Sequence, residues 1–276
     1  VSMYDTALDR GFGRVDVARH YLLDYLGLRL ADRVLIDTPE NADFVHRTFR
    51  VPLDRIVPVP VGADGETFNP SPIRSETGQF QVVFVGSFIP LHGVEYIIRA
   101  ADILRTHATI TFTLIGDGAT REMAESEVRM RQLPNVVFGG PIGANQYAKV
   151  LAEADAVLGI FGDSSKVDRV IPCKIYDGLA SRRPVVTSDT VAVRRLLKHR
   201  ESAMLVPKRD PAALASALSE LAGNRALCNT IAGGGYQAFL RTGTPARIGE
   251  QVIRTCEAAL ERKLAIQVED RSWPRR

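Results

Sequence analysis

The sequence has few cysteines, and none is placed to form a disulfide framework or a zinc site. Cys173, Cys228 and Cys256 are odd in number and form no Cys-x-x-Cys pair. We therefore interpret them as free thiols of a reducing compartment. The five histidines have no spacing typical of metal ligands either. These observations predict a protein without a metal site.

Long apolar runs and an excess of one charge sign are also absent. No run approaches the ~18 apolar residues of a membrane-spanning helix, and residues 1–5 lack the features of a signal peptide. The 35 basic and 32 acidic residues leave a net charge of +3, which is too balanced to indicate nucleic-acid binding. The basic end, Arg271–Arg276, has fewer charges than a lipid-binding cluster of about four or more bases. We expect a cytoplasmic protein with no nucleic-acid partner.

A regular alternation of strands and helices begins near residue 80. Short runs rich in Val, Ile and Phe are apolar on both faces, as buried parallel strands are. Strand–helix repetition with short loops predicts a doubly wound, Rossmann-like α/β sheet. The predicted strands are Gln81–Val85, Thr109–Ile115, Asn135–Phe138, Ala156–Gly159, Pro184–Ser188 and Ala203–Val206. The predicted helices are Gly93–Thr106, Thr120–Arg131, Gly143–Ala154, Pro172–Arg182, Val191–Leu197, Pro211–Ala222, Arg225–Arg241 and Thr244–Glu261.

The first 80 residues follow a different pattern. We predict a helix over Val15–Leu30 and strands over Arg33–Asp37 and Ile56–Val59. A second helix should begin after the cap residue Thr38, with Pro39 at its first position, and run to about Phe49. Two strands and two helices cannot bury a sheet on both faces. We therefore expect residues 1–62 to be the remnant of a larger Rossmann-like domain whose beginning is absent. The alternative is that they add strands to the sheet that follows.

Composition sets the remaining domain boundaries. Residues 63–80 are rich in Pro, Gly and Ser and are predicted to be an interdomain linker. Residues 81–243 form the predicted α/β domain, and residues 244–276 are a C-terminal helix and tail.

Glycines follow four of the predicted strands: Gly86, Gly116, the pair Gly139–Gly140, and Gly159. Ligands of open parallel sheets bind beyond the carboxyl ends of the strands, where glycine permits close approach and helix N-termini favour anions. The series favours an anionic, nucleotide-like ligand, and glycines that simply end strands are the alternative. A dinucleotide-binding loop is not indicated because the first loop has one glycine, and no phosphate-binding Gly-x-x-x-x-Gly-Lys motif is present.

A set of motifs in a fixed order resembles glycosyltransferase family 4, whose members have the two-domain GT-B fold. Each motif is weak alone, and the shared order and spacing make the set specific. The resemblance extends from about Ala31 to Ala259. The motifs are Ala31–Leu35 with Thr38, Val57–Asp64 with Phe68–Pro70, Phe84–Phe88 with Gly93–Val94, Leu114–Gly118, Asn135–Gly140 and Leu179–Val186.

This resemblance implies transfer of a hexose from a UDP- or GDP-sugar to a glycan or lipid-linked acceptor, with the retention of the anomeric configuration that is usual in the family. It implies neither metal nor cofactor, because protein cations and helix dipoles stabilise the leaving diphosphate. Residues 81–243 would bind the donor. The acceptor and the catalytic groups would lie mostly on an upstream domain, supplied by a partner chain if the enzyme is split. Contact with a membrane would be peripheral, at a lipid-linked acceptor.

Two other functions stay open at this point. The chain would act as a nucleotide-sugar-binding module without catalysis if the acceptor half is never supplied. The second alternative function is that of a nucleotide-sugar epimerase with the same two-domain fold, although the linker and the Leu114–Gly118 motif favour a transferase.

The resemblance also implies a donor site that departs from the family pattern. The family usually has Arg and Lys, both in contact with the diphosphate, where this chain has Ser87 and His92. Ser87 would still donate a hydrogen bond, and His92 would contribute a positive charge unless it is only a loop histidine. Gly86, Gly116 and Gly118 would let the diphosphate approach the backbone.

The Glu-x7-Glu motif of the family falls on Arg169 and Asp177. Asp177 would accept hydrogen bonds from the ribose hydroxyls, a role that suits a carboxylate. Our hypothesis is that Arg169 and Lys174 replace the missing cations at the diphosphate, and a basic surface loop is the alternative. The backbone near Gly139–Ile142 would contact the base, which leaves the identity of the base open.

Overall fold

The computed structural model of the chain describes residues 2–71, 78–107 and 109–272. Its main feature is a six-stranded sheet in which every pairing is parallel, with the order β5-β4-β3-β6-β7-β8. These strands are β3 (Phe80–Val85), β4 (Ile110–Ile115), β5 (Val136–Gly139), β6 (Ala156–Leu158), β7 (Val185–Ser188) and β8 (Met204–Val206). The predicted doubly wound α/β fold is confirmed.

Helices cover both faces of this sheet. The alternation of side chains along β3 sends Val82 and Phe84 into a core with α4, α5 and α9, and sends Val83 into a core with α6. The helices after residue 80 are α4 (Val94–Ile103), α5 (Arg121–Arg131), α6 (Ala144–Glu153), α7 (Cys173–Ala180), α8 (Val191–Leu196), α9 (Pro211–Gly223), α10 (Arg225–Thr242) and α11 (Pro245–Ser272). All eight correspond to predicted helices.

The N-terminal unit is separate from the large sheet. Its elements are α1 (Met3–Asp9), α2 (Arg14–Leu30), β1 (Val34–Ile36), α3 (Pro39–Phe49) and β2 (Ile56–Pro58). Strands β1 and β2 pair with each other in parallel, and among the described residues they add no strand to the six-stranded sheet. The alternative in which these residues extend that sheet is therefore wrong.

A small apolar core holds the N-terminal unit together. Val34, Ile36 and Phe49 are buried in it, and the ring of Tyr21 stacks on Phe49 with centroids 5.3 Å apart. Helix α2 contributes no fully buried residue. Its other face leaves large apolar side chains exposed, among them Leu22 and Leu30, at 56% and 83%. A contiguous apolar face of this kind is typical of a surface that another element covers.

The last helix returns to the N-terminal unit. On α11, Gln251 donates a hydrogen bond of 2.6 Å to the carbonyl oxygen of Pro58, and Lys263 forms an ion pair of 2.7 Å with Asp32. These contacts attach the C-terminal helix to the N-terminal unit. Across the described ranges, no helix has the length and apolar character needed to cross a membrane.

Candidate functional site

The loops that follow β3, β4 and β5 lie together at one edge of the sheet. The loop after β3 contains Gly86 and Ser87 and then a short 3-10 turn, Pro90–His92, before α4 begins. The amide of Phe88 in this loop donates to the carbonyl oxygen of Asp117 after β4, at 2.9 Å. The amide of Gly116 donates to Gly139 after β5, at 3.2 Å. The sequence-predicted glycines therefore share one edge.

Gly116 and Gly118 allow these loops to approach each other. Both have positive φ angles, 134° and 151°, and a Cβ atom on either would collide with backbone atoms of Gly86 or Phe88. The need for glycine at these two positions is thus explained by contact between loops. Their predicted part in donor binding stays a prediction.

A substitution at Gly116 should measure this contact. Gly116→Ala places a methyl group 2.9 Å from the carbonyl carbon of Gly86, at a φ that side chains rarely adopt. We expect a loss of about 3 kcal/mol in the free energy of unfolding, measured with urea. Gly249→Ala is the matched control, because nothing lies within 4 Å of its added Cβ and it sits inside α11. An equal effect of the two substitutions would contradict the assignment.

Arg121, which the sequence analysis did not single out, fixes the same loops. Its guanidinium donates to the carbonyl oxygen of Gly116 and, at 2.7 Å, to that of Gly139. It lies 5.6 Å from the ring centroid of Phe88 and pairs with Glu125 at 2.8 Å. An arginine at the first position of a helix has no distinctive sequence signal, so the tertiary structure was needed to find it.

Lys174 lies beneath the loop after β3. It is the second residue of α7, and its ammonium nitrogen is 3.9 Å from the ring centroid of Phe84 and 3.5 Å from Nδ1 of His92. Its side chain reaches the space beside Gly86, where an added Cβ would lie 3.0 Å from Cε of the lysine. Lys174 is only 7% exposed. The structure therefore brings together three predicted site residues, Gly86, His92 and Lys174.

The charge on Lys174 has no carboxylate partner. No ion pair to its ammonium group occurs within residues 2–71, 78–107 and 109–272. Burial lowers the pKa of Lys174 to about 7, and the nearby Cys173 and Asp177 oppose this shift. A buried ammonium group without a directly paired carboxylate is costly, and a bound anion would reduce that cost.

The surroundings of His92 oppose the positive charge that the sequence analysis considered for it. Burial, and then the charge of Lys174, lower its pKa to about 3. Its Nδ1 contacts the carbonyl oxygen of Ser87, which closes the turn between the two residues. His92 therefore shapes the loop, and the exposed Ser87 remains available at its surface.

Asp177 lies one turn after Lys174 on α7. It is 8% exposed, and its Oδ2 accepts a hydrogen bond of 3.1 Å from the hydroxyl of Tyr147 on α6. Burial raises the pKa of Asp177 to about 6, while the hydrogen bond from Tyr147 and the charge of Lys174 lower it. Lys174 and Asp177 thus lie on the same helix, and the pKa of the carboxylate is about one unit below neutral pH.

Arg169 is not brought to this cluster. Its guanidinium pairs with the buried Asp5 at 2.6 Å and lies 4.3 Å from the ring centroid of Phe44. Lys166 contacts the same carboxylate at 3.5 Å. Arg169 thus joins α1 and α3 to the loop before α7, because a buried aspartate needs a counter-charge. We retain Lys174 alone as the predicted cation at the diphosphate.

The other predicted contacts are compatible with a ligand at this edge. Residues 140–142 follow β5 and are exposed or half-buried, so their backbone is accessible to a base. In the part of the chain that the structure describes, no group of three or more His, Cys, Asp or Glu side chains is arranged to hold a metal ion.

Comparison with solved structures gives the fold independently. HepE of Anabaena, solved in complex with UDP-glucose, superposes with a TM-score of 0.75 at 17% identity, over 90% of this chain and 69% of HepE. Sucrose-phosphate synthase of Thermosynechococcus elongatus gives 0.74 at 20% identity, over 91% and 62%. S. aureus TarM, solved with UDP, fondaparinux and α-GlcNAc-glycerol, gives 0.71 at 14% identity, over 90% and 47%. At such identities the likeness establishes the fold alone.

Sequence comparison gives the family. D-inositol 3-phosphate glycosyltransferase of Paenarthrobacter aurescens is 27% identical over an alignment of 205 residues, and the alignment covers 69% of this chain and 49% of that protein. This chain therefore spans about half the length of its curated relative. The sequence profile described as Glycosyl transferases group 1 matches residues 79–224, more than half of the chain. The chain has the GT-B glycosyltransferase fold and belongs to the glycosyl transferases group 1 family.

Proposed function

We propose that this chain binds a nucleoside-diphosphate sugar at the edge formed by Gly86, Lys174 and Asp177, and that it is the donor-binding part of a family 4 hexosyltransferase. The observation that carries the proposal is the buried ammonium group of Lys174, which has no carboxylate partner in the described structure. A diphosphate is the ligand that this arrangement fits, because it supplies negative charge at close range.

The N-terminus of α7 adds to the attraction for phosphate. The amides of Cys173 and Lys174 occupy the first positions of the helix, where no intrahelical partner exists, and they carry the positive end of the helix dipole. The exposed Ser87 would donate a further hydrogen bond from the opposite side. Together these groups would hold both phosphates without a metal ion.

The same groups account for the chemistry. As the bond between the anomeric carbon and the diphosphate breaks, the electron pair moves to the phosphate oxygen, where negative charge develops. Lys174 and the helix amides would stabilise that charge. The oxygen of the acceptor hydroxyl would then bond to the anomeric carbon on the face that the diphosphate left, and the hydroxyl proton would pass to the departing diphosphate oxygen. Attack from that face retains the anomeric configuration. Asp177 would orient the donor through its ribose and would take no part in bond breaking.

UDP-sugars are the first choice of donor. HepE and TarM, both similar in fold, were solved with UDP-glucose and with UDP. Base contacts near Gly139–Ile142 would come from backbone atoms, so GDP-sugars are the second choice. The acceptor is a glycan or a lipid-linked sugar, and in the latter case the protein contacts a membrane peripherally.

In this proposal, residues 1–62 belong to an acceptor-binding half and residues 63–80 are the linker. Residues 81–243 bind the donor, and residues 244–276 are a C-terminal helix and tail. Support comes from the exposed apolar face of α2, which includes Leu22, Leu26 and Leu30. That face would receive the rest of the acceptor-binding domain, from the same polypeptide or from a partner chain. Without it, the chain would bind nucleotide-sugars without transferring them.

Thermal unfolding with nucleotides tests the proposal directly. A ligand at a hundred times its Kd adds about 2.7 kcal/mol to the free energy of unfolding. Each kcal/mol raises the Tm of a domain of this size by about 2–4 °C. We expect such a rise with UDP or UDP-glucose, or with GDP if the base is guanine, and none with uridine, which lacks phosphate. Equal Tm values with and without every nucleotide would contradict the proposal.

A further inference from the structure

Tyr147 and Asp177 come from different helices and meet at the edge of the candidate site. Tyr147 lies on α6 and donates its hydroxyl to Oδ2 of Asp177 on α7, at 3.1 Å. Asp177 is buried and Tyr147 is half-buried. The two residues are 30 positions apart, and neither the family motifs nor the charge pattern connects them.

The remaining oxygen of Asp177 is free for a ligand. Within the described ranges, no side chain or amide donates a hydrogen bond to Oδ1. Oδ1 is not one of the buried side-chain atoms that lack a hydrogen-bond partner, so solvent or a ligand can reach it. The hydrogen bond from Tyr147 restricts rotation of the carboxylate, so that Oδ1 is held in one direction. An acceptor held in this way suits a pair of neighbouring hydroxyl groups.

The linker holds the other side of Tyr147. The ring of Phe68 makes an edge contact with the ring of Tyr147, with centroids 5.2 Å apart and planes at 72°. Phe68 is fixed in turn, because its amide donates to the carbonyl oxygen of Asp64 at 2.9 Å. The carboxylate of Asp64 also accepts from the amide of Glu66 at 3.0 Å and from the hydroxyl of Thr67 at 2.5 Å. Hydrogen bonds within residues 64–68 therefore fix the conformation of the linker next to Tyr147.

We infer that Tyr147 is a positioning residue for donor binding: it holds Asp177 by Oδ2 so that Oδ1 meets the ribose hydroxyls, and Phe68 of the linker fixes the tyrosine ring. The inference rests on the proposed function, in which Asp177 binds the ribose. It assigns to Tyr147 the selection of a ribose over a sugar that lacks these hydroxyls.

Removal of one oxygen atom tests the inference. Tyr147→Phe keeps the ring and its contact with Phe68 and removes only the hydroxyl. We expect the affinity for UDP to fall about tenfold, which corresponds to about 1.4 kcal/mol, while the affinity for 2′,3′-dideoxy-UDP stays the same. Titration calorimetry measures both. Tyr21→Phe is the matched control, because it removes a hydroxyl from an aromatic cluster of the N-terminal unit, and it should change neither affinity.

Two further measurements separate positioning from general support of the fold. In the Asp177→Ala background, Tyr147→Phe should cause no additional loss of UDP affinity, because the partner is gone. The hydrogen bond from Tyr147 also lowers the pKa of Asp177, while burial raises it and Lys174 lowers it. The variant should therefore lose affinity for UDP-glucose, whose phosphates do not titrate in this range, at a higher pH than the wild type as the pH is lowered.

The outcomes are distinct. If the wild type prefers UDP to its dideoxy analogue and Tyr147→Phe keeps that preference, the role of Tyr147 is wrong and the donor site stands. Equal losses for both analogues would also overturn the role, because they indicate a general disturbance of the site. If the wild type binds neither UDP nor UDP-glucose, GDP or ADP, both the inference and the proposed function are wrong.

Discussion

Replacing Lys174 by methionine should lower the affinity for UDP about a hundredfold or more, as expected when a buried charged partner is removed at a cost of about 3 kcal/mol. Methionine keeps an unbranched apolar side chain beside Phe84 and Gly86 and removes the ammonium group. In the low-dielectric surroundings of a 7% exposed side chain, the attraction between that group and a diphosphate is larger than at the surface. Titration calorimetry with UDP measures the loss.

Without nucleotide, the same substitution should not destabilise the protein. The ammonium group of Lys174 is buried without a carboxylate partner in the described structure, so its removal relieves an electrostatic cost. Its pKa is about 7 in the folded chain against an ordinary 10.5. The unfolded chain thus binds more protons between these values, and the free energy of unfolding of the wild type should rise with pH across this range. The methionine variant should lack this part of the rise.

Lys198→Met is the matched control, since Lys198 is a lysine whose side chain is 77% exposed, in a surface ion pair with Glu201. It should leave both UDP affinity and stability nearly unchanged. A structural role for Lys174 makes the opposite prediction to ours, with lower stability and unaltered affinity for UDP. Such a result would remove Lys174 from the donor site.

Much of the fold was predictable because local signals and burial agree. β3 combines Val82, Val83 and Phe84, all with no exposed area, so a continuous apolar run marks a strand covered on both faces. The start of α3 was equally clear, because the hydroxyl of Thr38 accepts from the amide of Asn41 and a proline follows the cap. Helix α1 was missed because seven residues with one serine cap carry little periodicity.

The chemical environment of the site was less predictable. The sequence marks Lys174, Asp177 and His92 as polar, but their burial sets which of them carries a charge, and burial depends on elements far away in the chain. Arg169 looked like a second cation for the ligand, yet Asp5, 164 positions earlier, takes its charge. Spacing along a chain does not reveal partners of this kind.

The second large effect is a bell-shaped dependence of donor affinity on pH. Lys174, with a pKa of about 7, must be protonated to bind the diphosphate, so affinity should fall as the pH rises above that value. Asp177, with a pKa of about 6, must be ionised to accept the ribose hydroxyls, so affinity should also fall below that value. Each limb should approach about tenfold per pH unit. The affinity maximum should therefore lie between the two values.

UDP-glucose is the right ligand for this measurement, because the terminal phosphate of UDP has its own pKa of about 6. Calorimetry at about one pH unit above the pKa of Lys174 should also show uptake of nearly one proton on binding, since most of the free protein is then neutral at this group. Asp177→Asn should remove the acidic limb, and Lys174→Met the alkaline limb, each at a lower overall affinity. Donor affinity that stays constant across both limbs would show that neither group contacts the ligand. If the wild type shows one limb alone, that limb names the residue that contacts the ligand, because Asp177 accounts for the acidic side of the maximum and Lys174 for the alkaline side.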